Sequence, residues 1–354
     1  MFKKIMAGML SVLMLISLVS CSNTDWVIKD GDLTISSGVY LGYLVNATLD
    51  ALSSNNAKSV KDLMKLTIEN KSADEYIKEK ALDYCKTHIA IEKKFNELGL
   101  TLSEKTNESI DTTLSYYLSY YSSYYEENGC GEKSLRAIIE SNYKLDELFM
   151  YYYGEGGEKE VSKDELTKHL VENYARVQFI SVPLTDSSTK KALEGEELEK
   201  AKDKAHSYLD RANNGEDFED LIKEYAASVD GTEKDEATEE EENAVQENGF
   251  GKNDSFVSKE DTNYEEAFLN GVFEMSVGDY KLITTDNFCY VVKKLNVNES
   301  EKTLEYYKET LLSSLKGDEF TETYTSWKDA ATYDVNNAAV SKYKPKKIVL
   351  DLGY

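Results

Sequence analysis

YARVQFISVP, residues Tyr174 to Pro183, is the stretch on which the reading of this chain turns. Val177, Phe179 and Ser181 fall on one side of an extended backbone, and Arg176, Gln178, Ile180 and Val182 on the other. That period of two marks a β-strand. Polar helical patterns lie before and after it, so it opens a small domain. It contains no histidine, cysteine or acid. Either it is structural only, or it borders a site whose catalytic side chain is missing.

Downstream, GEELEKAKDKAHSYLDRANNGEDF and FEDLIKEYAASVD read as two helices. GTEKDEATEEEENAVQE is acidic without hydrophobic periodicity, the composition of an exposed loop. NGFGKNDSF reads as a turn-rich loop and YEEAFLNGVFEM as a short helix. VGDYKLITTDNFCYVVKKLNV reads as a hairpin, with strands near Tyr280 to Thr284 and Phe288 to Asn296. The predicted order is β-α-α-α-β-β.

Upstream, WVIKDGDLTISSGVYLGYLVNATLDAL is a short strand-like segment running into a helix. Helical periodicity dominates from Ser37 to Tyr153, with breaks at Ser53 to Asn56, Gly99, and Asn128 to Gly131. Proline is absent there, as long helices require. Tyr116, Tyr120 and Tyr124 fall at i, i+4 and i+8, as do Tyr117, Tyr121 and Tyr125, so two tyrosine stripes run along one helix. They either pack on neighbouring helices or form a surface for non-native polypeptide, since tyrosine offers a flat apolar body and a wet hydroxyl. GEGGEKE closes this block, and helix resumes after Ser300 before a polar tail containing Pro345.

The N-terminus MFKKIMAGMLSVLMLISLVS has Lys3 and Lys4 before an apolar run, the pattern of a signal peptide. Leu18-Val19-Ser20-Cys21 resembles a bacterial lipobox, which implies cleavage before Cys21 and its acylation with palmitate-class chains. Anchoring by two or more chains is firm, each buried CH₂ contributing ~0.8 kcal/mol. An exported protein tethered to the cell membrane is expected.

With 66 acidic and 41 basic residues the formal charge is −25, which argues against nucleic acid and against a basic lipid-binding face. Beyond Cys21, Cys85, Cys130 and Cys289 show neither a disulfide framework nor a zinc spacing. His88, His169 and His206 lie in polar helical patterns without triad or metal partners and read as surface residues. No metal or cofactor is expected, and hydrolase or metalloenzyme chemistry is disfavoured.

The segment from Ala175 to Asn296 resembles the parvulin (PpiC-type) family of peptidyl-prolyl isomerases. The likeness rests on NNGEDFEDLIKEYAASVD, on NGF at 248–250, on FLNGVFEMSVGD and on FCYVVKK, which occur in the family's order. A lipobox, a helical domain, this central unit and a returning C-terminal helix are together similar to the PrsA-type and SurA-type extracytoplasmic foldases. The resemblance implies a pocket for a prolyl ring, flanked by two histidines that help a twisted amide over a barrier of ~18–20 kcal/mol. It places those histidines at Phe179 and Tyr290, so both are replaced. It further assigns Phe250, Phe268 and Phe273 to the family's aromatic positions, Tyr264 to a common methionine, and Asp230 to the acid or cysteine after the second helix.

An α+β chain is therefore expected. It comprises a signal peptide (1–20), a tether (21–25), a helical chaperone-like domain (26–160), and a parvulin-like domain (161–298) with core 174–297 and acidic loop 231–247. A C-terminal helix and tail (299–354) should pack on the helical domain. The function implied is a membrane-anchored foldase or holdase for unfolded secreted polypeptides, with weak or no isomerase activity. Phe179 and Tyr290 either fill the space of the histidines or shape a pocket that still holds a side chain. The alternative is a surface lipoprotein of the solute-binding or adhesive type.

Overall fold

A computed structural model describes residues 25–230 and 247–350. The signal peptide, Cys21 and most of the acidic loop therefore lie outside the described residues. The chain divides into two compact units, Met1–Glu158 with Asp318–Tyr354, and Lys159–Gly317. It is α+β: a helical unit and a unit built on a small antiparallel sheet.

The first unit opens with a hairpin, β1 (Trp26–Asp30) and β2 (Leu33–Ser36), turned at Gly31 with φ +58°. Ser36 then caps α1 (Ser37–Ser54), its hydroxyl accepting from the Val39 amide. The short helix α2 (Val60–Leu63) leads to a two-residue-strand hairpin, β3 (Thr67–Ile68) and β4 (Lys71–Ser72). Its turn places Glu69 and Asn70 at φ +50° and +63°, the double left-handed turn suited to hairpins. This hairpin interrupts a region where only helix is expected; Glu-Asn is a weak turn signal beside the usual Asn-Gly. Three long helices follow: α3 (Ala73–Glu97), α4 (Glu104–Tyr125) and α5 (Glu132–Tyr153). Ser72 and Ser103 cap the first two, and Gly99 ends α3 at φ +64°, where only glycine is unstrained.

The core of this unit buries Tyr40, Leu44, Ile77, Ile89, Ile110 and Leu135 almost completely. Within residues 331–350 the polar tail forms regular structure. β9 (Asp334–Val335) pairs with the free edge of β1, and the Asn336 amide groups bond to the carbonyls of Val27 at 2.9 Å and Trp26 at 3.1 Å. A two-residue strand has no periodicity to read, and its partner lies some three hundred positions away.

The second unit contains α6 (Lys163–Asn173), β5 (Tyr174–Pro183), α7 (Gly195–Asn213), α8 (Phe218–Asp230), β6 (Ser255–Ser258), α9 (Glu266–Phe273), β7 (Tyr280–Thr284), β8 (Phe288–Leu295) and α10 (Glu301–Tyr306). α11 (Lys308–Ala330) begins here and continues into the first unit. The sheet order is β6-β5-β8-β7 and every pairing is antiparallel. β6 is a fourth strand beyond the three expected: it starts at the last two residues of the turn-rich NGFGKNDSF and runs only to Ser258, too short for a period to show. Alternation along β5 and β8 feeds two cores. Ile180, Val182, Cys289 and Val291 face Ala205, Tyr208, Phe218 and Leu221 of α7 and α8. Val177, Tyr290 and Val292 face Phe268, Leu269 and Val272 of α9.

Candidate functional site

The β5–β8 register sets Phe179 opposite Val292 and Ser181 opposite Tyr290. Phe179 and Tyr290 are thus diagonal neighbours on one face, within reach of aromatic side chains. Their ring centroids are 5.6 Å apart with planes at 83°, an edge-to-face contact. α9 supplies Phe268, whose centroid lies 5.6 Å from Phe179 and 4.5 Å from Tyr290. Tyr264, one turn ahead, stacks on Phe268 at 4.7 Å and meets Phe179 edge-on at 6.1 Å. Phe288 closes on Tyr290 at 5.4 Å. α9 approaches β7 closely because Gly271 has no side chain; a Cβ there would sit 2.6 Å from Ile283 Cδ1.

Phe268 is fully buried and Tyr290 nearly so, while Phe179, Tyr264 and Phe288 are half-buried. Burial first, and then the Glu265 carboxylate, push the Tyr290 hydroxyl up to about 12. Burial also raises Tyr264. Both phenols are therefore neutral at neutral pH, and neither is poised as a general acid or base. Glu265 is held below the usual carboxylate range: burial opposes this, but bonds from the Thr285 hydroxyl at 2.5 Å and the Asp286 amide at 3.1 Å prevail. What the rings offer is an apolar aromatic wall whose outer members are partly open to solvent.

The family resemblance also points to Phe273, Phe250 and Asp230. Phe273 sits at the end of α9 on the same core, with the ammonium groups of Lys259 and Lys294 5.4 Å and 5.6 Å from its ring. Phe250 belongs to a different aromatic group: it lies 5.8 Å from both Phe256 and Tyr307, and the Arg176 guanidinium rests 5.1 Å from its ring. Asp230 ends α8, and its side chain lies outside what is described.

That second aromatic group escaped the sequence reading. Tyr174, Phe256 and Tyr307 stack in series at 4.8 Å and 4.0 Å. Beside them the Arg176 Nε donates to Asp254 Oδ2 at 2.6 Å, and Gln178 Nε2 donates to Asp254 Oδ1 at 2.9 Å. The Asp254 side chain is fully buried. The only signal was a charged residue and an amide alternating with apolar ones on β5; their partner lies in the loop before β6.

In the first unit, α4 carries the tyrosines. Tyr116 is 52% exposed, Tyr120 71% and Tyr121 36%, whereas Tyr125 is buried and Tyr117 and Tyr124 are half-buried. Their rings touch in series: Tyr120 to Tyr116 at 4.9 Å, Tyr116 to Tyr117 at 6.1 Å, Tyr117 to Tyr125 at 5.9 Å. Tyr121 meets Tyr117 at 5.6 Å and Tyr124 at 5.9 Å. The helix is interrupted at Tyr121, with φ −130° and ψ 16°. Ser115 and Ser119 bond back to the carbonyls four residues earlier at 2.8 Å, a habit that bends helices.

Of the histidines, His206 is exposed and His169 half-buried, bonding to Ser314 at 3.1 Å. His88 departs from the surface reading. It is 8% exposed, and its Nδ1 lies 2.9 Å from the Tyr43 hydroxyl. It shares the buried stripe of α3 with Ile77, Ala81, Cys85 and Ile89, and Glu92 one turn on lies beside it. Cys85, Cys130 and Cys289 are free and buried.

Residues 160–298 match the family model described as the PPIC-type PPIASE domain, so the second unit carries a PPIC-type domain. Among curated proteins none matches the sequence. Among solved structures, the chain is similar to the foldase protein PrsA from Lactococcus lactis, with 13% identity, a TM-score of 0.40, and coverage of 90% of this chain and 97% of that one. It is also similar to PrsA from Streptococcus pneumoniae, with 16% identity, TM-score 0.36, and coverage of 76% and 87%. For PrsA from Bacillus subtilis the values are 17%, 0.29, 79% and 88%.

Proposed function

We propose that this PPIC-type domain serves in an extracytoplasmic folding factor, tethered to the cell membrane through acylated Cys21, that holds unfolded secreted polypeptides and has little or no prolyl isomerase activity. The observation that carries the reading is the contact of Phe179 with Tyr290. The two positions where the family resemblance implies histidines hold aromatic rings packed on each other and on Phe268. Isomerisation needs a site complementary to the twisted amide. The rings here use their faces and edges on one another, and neither phenol is ionised at neutral pH. An aromatic wall of this kind suits apolar side chains of an extended chain without turning a peptide bond.

The exposed tyrosines of α4 support the holding role, since they present a sequence-tolerant surface in the other unit. The lipobox supports the anchor. Among the described residues no helix is long and apolar enough to cross a membrane. Phe179, Tyr264, Phe268, Phe273 and Tyr290 are the proposed contact residues of the PPIC-type domain.

Two assays test this. The chain should suppress aggregation of a chemically unfolded client at near-stoichiometric ratio. In a protease-coupled assay on a proline peptide it should not accelerate isomerisation above background. Failure to suppress aggregation sinks the holding role; clear acceleration sinks the loss of catalysis.

A further inference from the structure

In the helical unit, Tyr43 and Asp50 of α1, Tyr84 of α3 and Tyr117 and Tyr125 of α4 line a cavity of about 340 Å³ together with Asn46. We propose that this cavity takes the cationic side chain, lysine or arginine, of an unfolded polypeptide lying along the α4 tyrosines. The inference rests on the holding role given above and specifies what is held.

Four features point to a cation. The walls are tyrosine rings, whose faces carry the negative end of the aromatic quadrupole. Two of the wall hydroxyls have their protons committed: Tyr84 donates to Asp50, and Tyr125 donates to Asn46 Oδ1 at 2.9 Å. The cavity therefore offers a carboxylate to a guest rich in donors, and repels a guest carboxylate. The protein's own Lys80 reaches towards the same groups, its ammonium 3.7 Å from Asp50 Oδ2 and 5.9 Å from the Tyr84 ring. It stands beyond direct hydrogen-bond distance, and the Asp50 side chain keeps 45% of its exposure, so room remains for a second cation. Finally, the formal charge of −25 favours basic segments at long range.

The surroundings extend the site. The ring series from Tyr120 through Tyr116 and Tyr117 ends at Tyr125 in the cavity wall. A chain with aromatic or aliphatic residues on that series delivers a neighbouring lysine or arginine to the cavity. Lys80 then acts as a tethered competitor for Asp50.

The test is fluorescence anisotropy of the full chain with labelled Gly-Ser-Phe-Xaa-Phe-Ser-Gly peptides, where Xaa is Arg, Lys, Leu or Glu. The Arg and Lys peptides should bind at least about fivefold more tightly than the Leu peptide, with Glu weakest. Asp50→Asn, which still accepts from Tyr84, should abolish that preference. Lys80→Met should widen it, a gain that no folding defect produces. Tyr120→Ser should weaken all four peptides alike. Equal binding of the Arg, Leu and Glu peptides, or a preference that survives Asp50→Asn, overturns the inference and leaves the holding role standing. Absence of binding by every peptide overturns both.

Discussion

The ring of Phe179 meets the ring of Tyr290 edge to face, 5.6 Å between centroids and 83° between planes, across a diagonal of the β5–β8 ladder. Each ring also touches Phe268, so the three form a closed set of contacts. Aromatic pairs of this geometry contribute ~0.5–1.5 kcal/mol beyond area burial. A double-mutant cycle of Phe179→Leu and Tyr290→Leu, read by urea unfolding of the PPIC-type unit's transition, should return a coupling of about 1 kcal/mol. A coupling of zero would show that the rings merely lie near each other.

Burial of the Arg176–Asp254 pair makes it sensitive to the loss of either partner. Asp254 also accepts from Gln178 Nε2 and from the Gly251 amide, the latter at 2.6 Å. Arg176→Met should leave a buried carboxylate without its cation and cost ~3–5 kcal/mol in chemical denaturation. Replacing both with apolar residues, as in Arg176→Met with Asp254→Leu, should recover part of that loss. A double variant no more stable than the single one would mean that the Asp254 contacts to Gln178 and Gly251 hold the β6 loop by themselves.

His88 makes stability depend on pH. Burial first, with Lys144 adding to it, lowers its pKa from 6.5 to about 4. Glu92 lies 4.0 Å from Nε2 but is itself bonded by Lys144 at 2.7 Å and 2.8 Å, which offsets its pull on a proton. The unfolded chain then binds more protons than the folded one between these two pKa values, so stability rises with pH there. It is fully present above the unfolded value and is lost as pH falls towards 4, by about 2 kcal/mol between pH 7 and pH 5. His88→Gln should flatten the curve over that range relative to the parent. A parallel pair of curves would refute the assignment.

Gly271 is where a small change should be felt. Its absent Cβ would fall 2.6–2.9 Å from three carbons of Ile283. Gly271→Ala gains backbone stiffness but forces this contact apart, and the net cost should be ~1–2 kcal/mol. Ile283→Ala in the same chain should make Gly271→Ala nearly neutral relative to Ile283→Ala alone. Thermal unfolding of the four variants gives the answer.

The exposed tyrosines should separate binding from stability. Tyr116→Ser and Tyr120→Ser remove side chains that are 52% and 71% exposed. Stability should change by no more than about 0.5 kcal/mol, whereas aggregation suppression should fall. A matching loss of stability would instead make these rings part of the unit's packing.

Local chemistry in the sequence by itself determined much of this protein. Period-two alternation specified β5 and its two faces, and the apolar run FCYVVKK after a turn specified β8 as a strand. Serine caps and Gly99 specified the ends of the long helices, and tyrosine spacing specified the stripes on α4. These are signals that neighbouring residues impose through backbone geometry. Only the tertiary structure decided what depends on pairing between distant segments. It added β6 to the sheet, β9 to β1, and the β3–β4 hairpin, strands too short to carry a period. It moved Phe250 from the Phe179 wall to Arg176, Phe256 and Tyr307, because a loop residue's direction follows from where its strand docks. It buried His88 behind Tyr43, since α3 turns that one face of a mostly charged helix into the core. Phe179 and Tyr290 stand between the two: the face of Phe179 is readable along β5, but its contact with Tyr290 exists because the register sets them on one diagonal.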